Sequence, residues 1–292
     1  KAWMTTRDQQ IGIALVAAST VAWSTSGLFT RMIDLDAATM LVWRGIFGAM
    51  GLIATGLMLD GRRTILDWGR LGKTGWTYAA ISGLGMLCFI GSLRLTTVAH
   101  VAIIYATVPF IAATLAWFLL RDRPSRGAVV ASVVALAGAV LMVGLGREGT
   151  LAGDLMALGM TVSMGLTMVL ARRWPGIPTL PAAALSALIS ATACLPFATL
   201  SLPPPPQILL LIGFGLVNSA LGLALFLLGS RRIPPIETAL IGALDAPLAP
   251  LWVWLFFAET PSPTTLAGAT LVFGAVLGHM LHQSRAASPK GA

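Results

Sequence analysis

Charge is scarce in this sequence. Only 10% of its 292 residues are Asp, Glu, Lys or Arg, against roughly 25% in an ordinary soluble protein, while 57% are hydrophobic. A soluble core of this size cannot hide so much apolar surface, which excludes a soluble globular fold; a bilayer solvates apolar side chains from outside as well. Cysteine is nearly absent. Cys88 and Cys194 both fall inside apolar runs, so a disulfide framework is not indicated. The histidines, His100, His279 and His282, lie near segment ends without metal-ligand spacing, and there is no HExxH motif. No Walker-type glycine-rich loop with its lysine is present, which argues against a nucleotide-driven pump. With neither a Ser–His nor a His–Glu set to carry chemistry, an intramembrane enzyme is disfavoured. No catalytic residue, metal or cofactor is expected.

Apolar runs are what the chain has in abundance. Crossing the hydrocarbon takes about 20 residues of helix, and that length marks ten segments: 11–32, 37–58, 74–94, 97–119, 127–145, 152–171, 180–200, 207–230, 236–257 and 264–282. The first is too long for a signal-peptide core and more spans follow at once. Turn formers separate the others: Asp60-Gly61, Arg123-Pro124-Ser125, Gly176-Ile177-Pro178, Pro203 to Pro206, Pro234-Pro235 and Pro261-Ser262-Pro263. The expected fold is an all-α integral membrane protein.

A net charge of +8 would suit nucleic acid, but its distribution does not. Lys1 and Arg7 precede the first segment. Arg62, Arg63, Arg70 and Lys73 fall in the second loop, and Arg121, Arg123 and Arg126 in the fourth. Arg172 and Arg173 occupy the sixth, Arg231 and Arg232 the eighth, and Arg285 and Lys290 the tail. The opposite side has Arg31, Arg94 and Arg147, and Arg44 lies inside the second segment. This strict alternation predicts that both termini are cytoplasmic in a bacterial inner membrane, and it removes nucleic acid as a partner.

The halves resemble each other. Gly91-Ser92-Leu93-Arg94 matches Gly229-Ser230-Arg231-Arg232, and at the same offset Pro109 matches Pro247 and Phe118 matches Phe256. Thr20-Val21 matches Thr161-Val162, and Arg31 matches Arg172. The units are 11–145 and 152–282, with a cytoplasmic tail at 283–292. Each holds five helices. An odd number makes the second copy enter from the other side, so these are inverted repeats, an architecture suited to alternating access about a central site.

Polar residues inside the spans mark candidate binding positions. Arg44 and Asp245 are the deepest ionisable groups and should face protein or water. Asp245 either meets a substrate amine or carries a proton, or else it is the counter-ion of Arg44 or caps backbone freed by Pro247 and Pro250. Trp23 is the one mid-span tryptophan; the others, Trp252 and Trp43 among them, read as interfacial belt. Helical spacing sets Ser19, Trp23, Ser26 and Thr30 on one face, with Ser24 beside it, a face that either packs on a helix or lines a cavity. The third segment adds a stripe of Tyr78, Ser82, Gly85, Phe89 and Ser92, the sixth Ser163, Met164 and Thr167, and the eighth Asn218, the single Asn, with Ser219. Singly, each small polar residue could be interhelical glue; their convergence is what suggests a site. Tyr105 and Thr107 point to opposite sides of the fourth segment. Gly274 and Gly278 form a GxxxG match, read as close packing or a dimer contact.

The sequence resembles the drug/metabolite transporter superfamily in its ten-helix EamA-type form. The motifs are Ala22-Trp23-Ser24, Trp43-Arg44-Gly45, Val108-Pro109-Phe110, Trp117-Phe118-Leu119-Leu120, Asp245-Ala246-Pro247 and Phe256-Phe257-Ala258-Glu259. The family's acidic residue after the ninth helix is present as Glu259; after the fourth stands Arg121-Asp122. The resemblance implies a secondary exporter of small metabolites, a monomer or weak homodimer in the bilayer. Within the family the chain looks most like the YddG-type exporters of aromatic and other apolar amino acids. Exporters of cationic drugs or nucleotide sugars are the alternative.

Overall fold

The structure, a computed structural model, describes residues 6–144, 150–199, 202–258 and 260–287. The sequence readings placed on Lys1, Trp3, Arg147, Glu259 and Lys290 lie outside the described residues. Those described form helices joined by short loops, with no strand among them. Ten helices are long and apolar enough to cross a membrane: α1 Arg7–Met32, α2 Ala37–Leu59, α3 Gly72–Leu95, α4 His100–Leu120, α5 Arg126–Val143, α6 Leu151–Arg173, α7 Thr179–Phe197, α8 Pro205–Ser230, α9 Pro235–Phe257 and α10 Pro263–His282. Each coincides with an expected segment to within a few residues. A short helix, Arg62–Gly69, occupies the loop after α2.

Side-chain caps account for several starts. Asp36, Thr97, Ser125 and Thr150 each accept a hydrogen bond from the backbone N–H three residues on, at the heads of α2, α4, α5 and α6. Prolines account for breaks inside the spans. α4 is interrupted at Ala106–Thr107, ahead of Pro109, and α9 at Ala243–Leu244, ahead of Pro247, because proline has no N–H to donate and its ring crowds the preceding turn. Both helices also end alike, on a left-handed residue, Arg121 (φ 55°) after α4 and Ala258 (φ 54°) after α9.

The halves pack about each other in matched pairs. α1 lies on α8 as α6 lies on α3, α2 on α8 as α7 on α3, while α2–α7 and α5–α10 are each a helix against its own counterpart. Backbones come close where side chains vanish. A Cβ added to Gly138 on α5 would stand 2.7 Å from the Gly268 carbonyl oxygen on α10, so this seam depends on two hydrogens. Gly274 and Gly278 have open space where a Cβ would be. Close packing of that motif within the chain is therefore corrected: α10 uses Gly268 instead.

Burial differs between the two ends of the bundle. Beside the sixth and eighth loops, Met168–Ala171, Pro181–Ala187 and Pro235–Ile241 are buried without interruption. At the opposite end, the stretch of α1 from Ser26 to Met32 has no buried residue, and α9 beyond its break buries only Pro247.

Candidate functional site

A cavity of about 260 Å³ lies between the halves. Its wall comes from α1 to α4 and α6 to α9; α5 and α10 stay outside it. Among the residues singled out from sequence, Trp23, Ser26, Tyr78, Ser82, Ser163, Met164, Thr167, Asn218, Ser219, Asp245 and Arg44 all line it. Ser24 is not among the lining residues. It is fully buried, donates to the Val21 carbonyl and accepts a 2.8 Å hydrogen bond from the indole of Trp252. That bond also shows that Trp252, read from sequence as interfacial belt, ties α9 to α1.

Trp23 is held from two directions. Its Nε1–H donates to the Asn218 carbonyl at 2.9 Å, and its ring sits 4.9 Å from that of Phe226 at 42°, a tilted aromatic pair. The acceptor belongs to an unusual stretch of α8: Gly215–Leu221 is π-helical, in a chain otherwise almost wholly α-helical. Wider turns of this kind change the partners of backbone carbonyls, and here the indole takes one up. The Asn218 side chain reaches back, its Nδ2 donating to the Ala22 carbonyl at 2.9 Å. α1 itself is interrupted at Thr25, next to this junction. Ser19 donates to the Gly222 carbonyl at 3.0 Å, extending the same seam.

The two charged residues share the cavity without sharing a bond. Among the described residues no ion pair joins Arg44 to Asp245, so the counter-ion reading of Asp245 has no contact behind it. Arg44 Nη1 instead donates a long 3.5 Å hydrogen bond to Asn218 Oδ1, and its guanidinium lies 5.4 Å from the centre of the Phe214 ring. Asp245 begins the second part of α9, directly after the break. Its Oδ1, like Arg44 Nε, is buried with no hydrogen-bond partner among the described residues.

The reading of the sequence missed several lining residues, Tyr105, Met86, Met160, Ser190 and Phe226; of the stripe on the third segment, Gly85 and Phe89 line the cavity and Ser92 does not. Tyr105 was visible as a mid-span tyrosine but was discounted with Thr107. It enters the cavity at the break ahead of Pro109, while Thr107 turns its hydroxyl back to the Ile104 carbonyl at 2.6 Å. Ser190 could have been found as a mid-span hydroxyl in α7.

A cavity between two five-helix halves of a ten-helix bundle is a transporter's geometry, and comparison with known proteins agrees. The EamA-like transporter family matches twice, over residues 10–144 and again over 151–281. The chain belongs to the EamA-like transporter family. It is thus a multi-pass membrane transporter of small molecules. No curated protein matches it. Among the 29 solved chains that do match, one described only as "Crystal structure of protein" superimposes with a TM-score of 0.79 at 20% identity, covering 97% of this chain and 99% of that one. At that identity the likeness carries the fold alone. The motif positions Trp23, Arg44 and Asp245 of this EamA-like transporter thus stand together around its central cavity.

Proposed function

We propose that this protein is a secondary exporter of aromatic and other large apolar amino acids in a bacterial inner membrane, working by alternating access with both termini in the cytoplasm. The observation that carries the reading is the cavity wall itself. Trp23, Phe226, Met164 and Phe89 offer an apolar aromatic surface, while Ser26, Ser82, Ser163 and Asn218 supply polar groups beside it. A few polar groups that fix orientation within an apolar enclosure suit an apolar side chain with a polar head. The basic loops support the orientation. With that orientation, the continuous burial beside the sixth and eighth loops supports a state closed toward the cytoplasm and reached from the other side. Two similar halves related by an inverted repeat favour such states of nearly equal energy.

The test is flux in proteoliposomes. Labelled phenylalanine, tryptophan and leucine should exchange across the membrane, assayed with and without a pH gradient to find any coupling. Flux of hydrophobic cations with none of amino acids would move the answer to a cationic-drug carrier, the second reading, which Asp245 beside an aromatic wall favours.

A further inference from the structure

We infer that the cavity reads its ligand as a dipole, taking an ammonium end at Asp245 and a carboxylate end at Arg44, and so selects zwitterions over molecules that carry either charge alone. This rests on the amino-acid reading above and assigns each end of the head group to a residue.

A charge in the middle of a membrane is expensive unless it meets an opposite charge, hydrogen-bonding groups or water. If Arg44 and Asp245 served only to neutralise one another, they would pair. They do not, although they line the same space. Arg44 is drawn toward α8 by Asn218 and by the face of Phe214, bonds that leave Nε without an acceptor. Asp245 is fixed on α9 by the break ahead of Pro247, with Oδ1 lacking a donor. The cavity wall therefore carries a guanidinium and a carboxylate that do not meet each other, each with one buried atom whose hydrogen bond the described residues leave unmade.

A ligand with a single charge cannot meet both. A cation satisfies Asp245 and confronts the guanidinium of Arg44; an anion does the reverse. A zwitterion supplies a carboxylate to the planar fork of Arg44, which favours two-pronged contact with such a group, and an ammonium to Asp245. Polarity, as well as charge, is then specified, because the apolar part of the ligand must lie where Trp23 and Phe226 are.

The experiment uses the full chain in lipid nanodiscs and three probes that share one ring: L-phenylalanine, phenethylamine and 3-phenylpropionate. Wild-type protein should bind phenylalanine about tenfold or more tightly than either one-charge probe. Asp245→Asn should weaken phenylalanine by about 30-fold and abolish phenethylamine binding while leaving 3-phenylpropionate no weaker. Arg44→Gln should do the converse, sparing phenethylamine. Phenethylamine bound by wild type as tightly as phenylalanine would overturn the proposal, as would variants that weaken all three probes by one common factor. If Arg44→Gln does not fold, Asp245→Asn decides: loss of both one-charge probes overturns the assignment. Wild-type protein that ignores phenylalanine yet binds leucine or glycine betaine would refute the aromatic preference and uphold the dipole. Binding of no zwitterion at all would overturn the dipole.

Discussion

Trp23 can be tested for two roles at once, because it is both a packing residue and part of the cavity wall. Trp23→Phe keeps a ring against Phe226 but removes the indole N–H, so the Asn218 carbonyl in the π-helical stretch loses its 2.9 Å donor. One such bond contributes about 0.5–1.5 kcal/mol, and the loss should appear as a modest fall in melting temperature. Trp23→Ala removes the ring as well. A fully enclosed site of this kind costs about 3–5 kcal/mol on truncation; since one side of Trp23 borders the cavity, about 2–3 kcal/mol is expected here. For ligand, an aromatic contact of about 1–3 kcal/mol means affinity lower by about 5- to 150-fold in Trp23→Ala and much less in Trp23→Phe. The assay is thermal unfolding of purified wild type and both variants, with and without saturating phenylalanine. A Trp23→Ala protein that melts far lower yet gains the full wild-type stabilisation from ligand would remove Trp23 from the binding surface and leave it a packing residue only.

Three further outcomes are expected. Single cysteines at Arg63, Arg126 and Arg232 should be shielded from an impermeant thiol reagent outside intact spheroplasts, and cysteines at Asp36 and Leu202 should react; the reverse pattern would invert the proposed orientation. Gly48→Ala should lower folded yield at a cost of about 1–3 kcal/mol, because the new Cβ would come 2.2 Å from that of Ser219 and 3.0 Å from the Gly215 carbonyl oxygen; wild-type stability would mean that α2 and α8 are less tightly apposed. Asp36, which caps α2, responds to acid: burial is the largest single influence and raises its carboxyl, but hydrogen bonding from Thr39 and Thr199 outweighs it and holds the group below its usual range. A carboxyl lowered in the folded state contributes stability above its unfolded value and loses it as the pH falls through its folded one. Acid titration of melting temperature should therefore show a fall below about pH 4, reduced in Asp36→Asn; identical profiles would discount the cap.

Much of this was legible in the amino-acid sequence because a bilayer constrains it so strongly. A span must be apolar for about 20 residues, and turn formers such as Arg123-Pro124-Ser125 marked where one span gives way to the next. The caps Asp36 and Thr150 at the heads of α2 and α6 went unread, although both are residue types favoured there. Most of the polar residues singled out inside the spans line the central cavity, although Ser19, Ser24 and Thr30 of α1 do not. What could not be read was direction after a break. Regular spacing put Tyr105 and Thr107 on opposite sides and gave no reason to prefer either, whereas the interruption ahead of Pro109 decides which one enters. Ser24 shows the complementary limit. Its hydroxyl is on a polar face, but a partner from α9, Trp252, claims it, and no pattern along α1 could have named that partner.

Duplication explains the scaffold, while the differences between copies explain the proposed selectivity. The repeat places Met164 of α6 opposite Trp23 of α1, and both line the cavity, so one half offers a flexible thioether where the other offers a rigid indole. It places Thr107 of α4 opposite Asp245 of α9, two residues ahead of Pro109 and Pro247 in turn. There the helices break alike, but Thr107 bonds back to its own turn and Asp245 faces the cavity. A symmetric wall would hold a ligand in either of two orientations. With a carboxylate on one copy and a self-satisfied hydroxyl on the other, an ammonium group has only one place to go, and the rest of the ligand is oriented by that choice.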